Sequence, residues 1–398
     1  MSRGTVVQFG AGAIGRGFLA PLWTTADYEV VFVDIDRRLI DRLNARGSYP
    51  LRLVAATGAV DNQVVGPVRA VEAGFSAAVA EALTHCAFAC SAVGVHAFQG
   101  LAAALVPGLL GRMHQNREAP PLNVLCCENQ QGAGQGLRNA VNDSLAGNKG
   151  LQDFVDTSVG FVDASVGRMV PPPTPELLAE DPLLILAEPY SELPIDGTAW
   201  IGPVPPVPGL LPKANFAGYV ARKLFTHNGG HALLAYEGFQ RGHPFLWQAA
   251  EDEELVSELT GCWQETGEAL VRAWGFEPAE QRAYEADLLV RFRNRALGDT
   301  VARVGWDVAR KVRPDDRLVG AALLCASQGI EPVHVCRAIA AAYAYDAPGD
   351  ATAPEIQERL RSEGFRQAFS RFSRLPPDSP IARRAEREYA TIVAARPS

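Results

Sequence analysis

Residues Lys223 to His231, reading Lys-Leu-Phe-Thr-His-Asn-Gly-Gly-His, bring an amine, an amide and an imidazole into one short stretch. On an α-helix, at about 100° per residue, Asn228 lies about 140° and His231 about 80° round from Lys223, so the three can share one face. That set suits oxidation of an alcohol without a metal. The amine takes the hydroxyl proton, the amide holds the developing alkoxide and the imidazole orients the substrate. An amphipathic helix with a surface lysine is the competing reading of these residues alone. His227 and His231 stand four apart, as a zinc pair would, but Asn228 occupies the place of the glutamate in a zincin helix, and no third ligand is evident. The expected metal is none.

Alcohol oxidation needs a hydride acceptor, and the other end of the chain offers a place for one. The apolar run Val6 to Phe9 leads directly into Gly10-Ala11-Gly12-Ala13-Ile14-Gly15, followed by a helix with Phe18, Leu19 and Leu22 on its apolar face. A second strand, Tyr28 to Val33, ends in Asp34, at the distance a dinucleotide fingerprint requires. The glycines allow close approach of a pyrophosphate, and the helix start offers unpaired N–H groups to it. Asp34 can accept from the adenosine ribose and repels a 2′-phosphate, which predicts NAD over NADP. A further strand, Ala87 to Val93, brings Val93 and Gly94 to the cofactor side. Leu122 to Cys127 reads as another, delivering Asn129 at its carboxyl end, where open α/β sheets bind ligands.

These elements predict an α/β Rossmann-type N-terminal domain with a doubly wound, mostly parallel sheet. Late strands are expected at Leu183 to Leu186 and Thr198 to Ile201, and the proline-rich stretch from Pro203 to Pro212 is read as a linker. The boundary is therefore set between an NAD-binding domain, 1–202, and a helical domain, 203–398. Glu254 to Trp274, Pro278 to Asn294, Arg317 to Gln328 and Val333 to Tyr343 carry apolar residues at three- and four-residue spacing, which predicts an all-α C-terminal domain. Arg303, Arg310 and Lys311 lie in a basic cluster interleaved with Asp307, Asp315 and Asp316. It reads either as a solvated surface or as a pocket for a phosphate or carboxylate.

Composition narrows the partners. A chain of 398 residues exceeds one ordinary core, and 47% apolar with 21% charged residues is the balance of a globular protein. A formal charge of −8 opposes binding to nucleic acid or anionic membranes, leaving a small molecule as the expected partner. Seven cysteines without paired C-x-x-C spacing suggest a reducing cytoplasm, and no leader or membrane-spanning run is read. The oligomeric state stays open, a monomer being one reading.

Phe-Gly-Ala-Gly-x-Ile-Gly-Arg-Gly-Phe at 9–18, Asn-Ala-Arg-x-Ser-Tyr at 44–49, Glu-Asn at 128–129, Gly-Phe-Val-Asp at 160–163 and Lys-Leu-Phe-Thr-x-Asn-x-Gly-His at 223–231 together resemble the polyol-specific long-chain dehydrogenase/reductase family, that of the mannitol dehydrogenases. The resemblance continues through Arg291-Phe292-x-Asn294, Arg303-Val304-Gly305, Arg310-Lys311 and Asp316-Arg317-Leu318. It implies metal-free hydride transfer to NAD in a cleft between the two domains. Lys223 would be the general acid/base, Asn129 and Asn228 the oxyanion-stabilising amides, and His231 the substrate-orienting imidazole. The substrate pair it implies is D-mannitol 1-phosphate and D-fructose 6-phosphate. A free polyol or a hexuronate is the alternative, and a non-catalytic NAD-binding sensor a remote third. Three departures, Gly167, Arg295 and Trp306-Asp307-Val308, fall where the distal end of the substrate should bind.

Overall fold

The computed structural model describes residues 3–115, 120–145 and 147–395. Two compact units result, one of residues up to 55 with 59–216, the other of 56–58 with 217 onward. In the first unit the leading strands are β1 (Thr5–Phe9), β2 (Glu29–Asp34), β3 (Tyr49–Val54), β4 (Val60–Val65), β5 (Val68–Glu72), β6 (Phe88–Ser91), β7 (Leu122–Cys126) and β8 (Val159–Asp163). Six of them form a wholly parallel sheet in the order β5-β2-β1-β6-β7-β8. The apolar runs are continuous because both faces are covered: Val6 enters one core with Phe32 and Trp23, and Val7 the opposite core with Val31 and Leu105. The chain builds outward from β1 to β5, then returns to add β6 on the other side of β1. That reversal opens a crevice at the carboxyl ends of β1 and β6.

The late part of this unit differs from expectation. β9 (Ile185–Ala187) joins β3 and β4 in a separate three-stranded sheet, while β10 (Leu193–Asp196) pairs in parallel with β11 (Leu210–Lys213). Thr198 to Ile201 is no strand. Asp196 accepts from Thr198 N at 2.9 Å and Thr198 Oγ1 at 2.6 Å, and this side-chain bonding turns the chain instead. The proline-rich stretch does not act as a free linker either, because β11 at its end is paired to β10; the division falls after residue 216 rather than 202.

The second unit is helical. The four periodic segments appear as helices Glu253–Trp274, Pro278–Phe292, Val319–Ser327 and Val333–Tyr343. Glu253–Trp274 buries Leu255, Leu259, Cys262, Thr266, Ala269 and Leu270 along one stripe, starts at Asp252, whose carboxylate accepts from Glu254 N and Leu255 N, and stops at left-handed Gly275.

Both stretches singled out for chemistry depart from an α-helix. Gly15–Leu19 and Lys223–Asn228 are π-helical turns, each running into an α-helix, Ala20–Thr25 and Gly229–Gln240. The i→i+5 pattern takes fewer degrees per residue, so the 100° spacing assumed for Lys223, Asn228 and His231 does not hold. A π turn disturbs the regular ladder of backbone bonds, and side chains here take up its carbonyls. Tyr49 Oη donates to Arg16 O (2.7 Å), Arg168 Nη1 to Gly17 O (2.9 Å), and Trp263 Nε1 to Thr226 O (2.9 Å).

Candidate active site

In the first unit the glycine turn is dictated by sterics. Gly10 has φ +88°, and a Cβ there would lie 2.6 Å from Ala92 O; one on Gly15 would lie 2.1 Å from Gly10 O. A Cβ on Gly12, in contrast, would meet nothing within 4 Å. Open space thus faces the middle glycine, beside the helix start at Ala13 and Ile14, which is the cradle a pyrophosphate requires. Asp34 accepts from Ala11 N at 2.6 Å through one oxygen and from Ile35 N and Asp36 N through the other. It therefore ties the turn to the end of β2, and acceptor capacity remains on its oxygens for a ribose. These residues fit NAD.

Two further residues shape this end of the sheet, and sequence reasoning missed both. Buried Arg16 donates to Ala11 O (2.6 Å) and Leu183 O (2.9 Å), fastening the glycine turn to the chain ahead of β9. Glu128 accepts from Ser91 Oγ (3.0 Å), Val93 N (3.1 Å) and Gly94 N (2.9 Å), so the two residues expected at the cofactor are held by a carboxylate from the neighbouring strand end. Asn129, next along, is exposed at the carboxyl end of β7. Gly167 is explained locally: a Cβ there would press on the Tyr190 ring at 3.0 Å.

In the second unit the π turn carries Lys223 and Asn228, and the helix that follows it carries His231. Asn228 is buried, and Lys223 and His231 are partly so. Burial pushes the Lys223 amine down to about 7; Arg317 pushes the same way and Asp316 opposes. Burial, with Arg303, Arg317, Arg291 and Lys311 adding to it, lowers His231 to about 3, so this imidazole is neutral. His231 stacks on Phe292 at 4.9 Å between centroids and 7° between planes. The turn has two supports beyond its own bonds: Trp263 on the Thr226 carbonyl and Gln281 Nε2, which donates to Thr226 Oγ1 at 3.2 Å. A Cβ on Gly230 would lie 2.9 Å from Trp263 Nε1, so glycine is required for that tryptophan to reach.

The basic cluster is more structured than its sequence suggested. Arg310 donates to Asp307 (2.9 Å) and Asp316 (3.0 Å), and Arg303 pairs with Asp299. Arg317, part of the motif at 316–318 but not among the expected ligands, donates to Asp316 at 2.7 Å, and its backbone carbonyl packs near Gly229. Desolvation would raise Asp316, but Arg317 and Arg310 outweigh it and hold the carboxyl below its ordinary range. Lys311 is buried, with its amine lowered to about 7 by burial and then by Arg317 and Arg310. Asp307 takes up a left-handed backbone at φ +64°, costly for a residue other than glycine. Among the described residues no group of three or more His, Cys, Asp or Glu gathers as metal ligands, and no helix is long and apolar enough to cross a membrane.

Comparison with known proteins agrees with both units. Residues 4–208 match the mannitol dehydrogenase Rossmann domain and residues 215–372 the mannitol dehydrogenase C-terminal domain. The chain is 37% identical over 377 residues to a mannitol-1-phosphate 5-dehydrogenase of Brevibacillus brevis, covering 94% of this chain and 95% of that one. It is 34% identical over 360 residues to the enzyme of the same name from Bacillus licheniformis, covering 90% and 92%. Among solved structures, Pseudomonas fluorescens mannitol 2-dehydrogenase in ternary complex with NAD and D-mannitol superposes with a TM-score of 0.74 at 20% identity, over 98% of this chain and 92% of that one. A substrate-free D-sorbitol dehydrogenase gives 0.79 at 17% identity, over 99% and 92%. At such identities the solved structures establish the fold.

Proposed function

Because this chain belongs to the mannitol dehydrogenase family of NAD-dependent polyol oxidoreductases, we propose that it interconverts D-mannitol 1-phosphate and D-fructose 6-phosphate. Bound NAD supplies the acceptor for hydride. Lys223 takes the proton of the hydroxyl on the reacting carbon and returns it in the reverse direction. Asn228 offers its amide N–H to the oxygen as negative charge develops. Asn129 keeps the similar role that the family resemblance gives it. His231, neutral, orients a hydroxyl.

The burial of Lys223 carries the chemistry: loss of water, with Arg317 adding to it, pushes its amine down to about 7, so at neutral pH it can serve as base or acid. For the phosphate, Lys311 is the strongest of the three expected ligands. It is buried, whereas Arg303 and Arg310 already hold carboxylates. A dianion beside it would draw its amine back into the charged form, so binding and protonation reinforce each other. A second reading, a free polyol or a hexuronate, draws on those same ion pairs, which leave fewer cations for a phosphate. NADH formation measured with D-mannitol 1-phosphate, D-mannitol and the reduced hexuronates side by side decides between them. A kcat/KM for D-mannitol 1-phosphate no higher than for the others would remove the first reading.

A further inference from the structure

Asp299 faces two partners. One carboxylate oxygen takes the Arg303 guanidinium, and the other stands 3.6 Å from His231 Nε2. That nitrogen is buried and makes no hydrogen bond, so what exposure the His231 side chain retains, 14%, lies elsewhere on the ring. Stacking on Phe292 fixes the plane of the imidazole, and Asp299 is itself anchored, with its carbonyl accepting from Leu246 N at 2.8 Å and Thr300 bridged to Phe245. The plane of the ring and the backbone that carries Asp299 are thus both restrained.

A neutral imidazole carries one hydrogen and one lone pair, and the neighbour of one nitrogen decides the state of the other. A lone pair on Nε2 would face the Asp299 carboxylate and be repelled; a hydrogen there is attracted. We propose that Asp299 is a positioning residue for His231: it selects the tautomer with hydrogen on Nε2 and thereby presents Nδ1 as an acceptor for a substrate hydroxyl. Arg303, by taking the other oxygen, keeps the carboxylate ionised and aimed, so it serves His231 as well as any anionic group of the substrate. Desolvation works against that ionisation, raising Asp299, and Arg303 opposes it. The use of Nδ1 in turnover rests on the reading of His231 as substrate-orienting; the tautomer itself does not.

The ring nitrogens of His231 report the tautomer directly. In protein labelled with 15N-histidine, with the His231 signals identified by their loss in His231→Asn, the unaltered protein should show a protonated Nε2 and an unprotonated Nδ1 at about pH 8. Asp299→Asn should give a mixed or exchanged pattern, raise KM for the polyol, lower kcat roughly 10- to 100-fold and leave NADH affinity unchanged. Arg303→Gln, which removes the partner that keeps the carboxylate ionised and aimed, should move the pattern in the same direction as Asp299→Asn but less far. A hydrogen on Nδ1 in the unaltered protein overturns the proposal, and needs no variant to be seen. So does an unchanged pattern in Asp299→Asn, and an unchanged one in Arg303→Gln removes Arg303 from its supporting part. An exchanged tautomer with unchanged polyol kinetics upholds Asp299 as the determinant and removes instead the role given to His231.

Discussion

The sharpest consequence of the site is the pH dependence of Lys223. At the ordinary lysine value of 10.5 about one amine in 3,000 is uncharged at pH 7, whereas at about 7 roughly half are. The surroundings of Lys223 thus multiply its basic form on the order of 1,000-fold near neutrality. Oxidation needs the uncharged amine and reduction the charged one. The rate constant kcat/KM for polyol oxidation should therefore climb tenfold per pH unit below about 7 and level off above it, while ketose reduction runs level below and falls above. The assay is initial NADH production or consumption from about pH 5 to about pH 10 under saturating cofactor. Lys223→Ala should lower turnover by roughly 100- to 10,000-fold, flatten that limb and leave NADH binding intact. A rising limb centred near 10, or a limb near 7 that survives Lys223→Ala, would refute the assignment.

Asp34→Ala should raise KM for NAD and shift the NAD/NADP ratio by at least tenfold, measured by parallel kinetics. Because Asp34 also binds Ala11 N, the variant should use both nucleotides less well. Lys311→Met should weaken D-mannitol 1-phosphate by roughly 10- to 100-fold in KM, the range of a lost charged hydrogen bond, and D-mannitol far less; equal losses would mean that Lys311 reads no phosphate. Gly230→Ala should displace Trp263 from the Thr226 carbonyl, costing about 1 to 3 kcal/mol in denaturant unfolding together with much of the activity.

What could be read in advance follows the range of the forces involved. The glycine turn, Asp34 and the parallel strands obey local steric and periodic rules, so Gly10, Gly15 and the ends of β1 and β2 were legible from residue order. The π turn at Lys223 was not, because one surplus residue in six leaves no periodicity to detect. Glu128 looked like a neighbour of Asn129; its task, gripping Val93 and Gly94, exists only once β6 and β7 lie side by side. Arg310 and Lys311 looked equivalent in the chain. In the fold one is gripped by Asp307 and Asp316 and the other buried, a distinction that depends on which charges tertiary packing brings together. Arg317 acts on an amine more than ninety positions earlier in the chain, beyond the reach of any local rule.

The wide turn at Lys223–Asn228 works as a phase shift. An additional residue in a helix rotates all that follows by about 100° relative to what precedes. Phe216–Arg222 and Gly229–Gln240 therefore keep independent registers: Arg222 can rest among Tyr219, Phe276 and Tyr284 on one side of the turn while the helix beyond it packs on Trp263 and Leu259. Removing a single residue here would leave the composition of the segment nearly untouched and still rotate Gly229–Gln240, His231 with it, by about 100° relative to Phe216–Arg222. In this stretch residue count, more than residue type, is what the chemistry cannot spare.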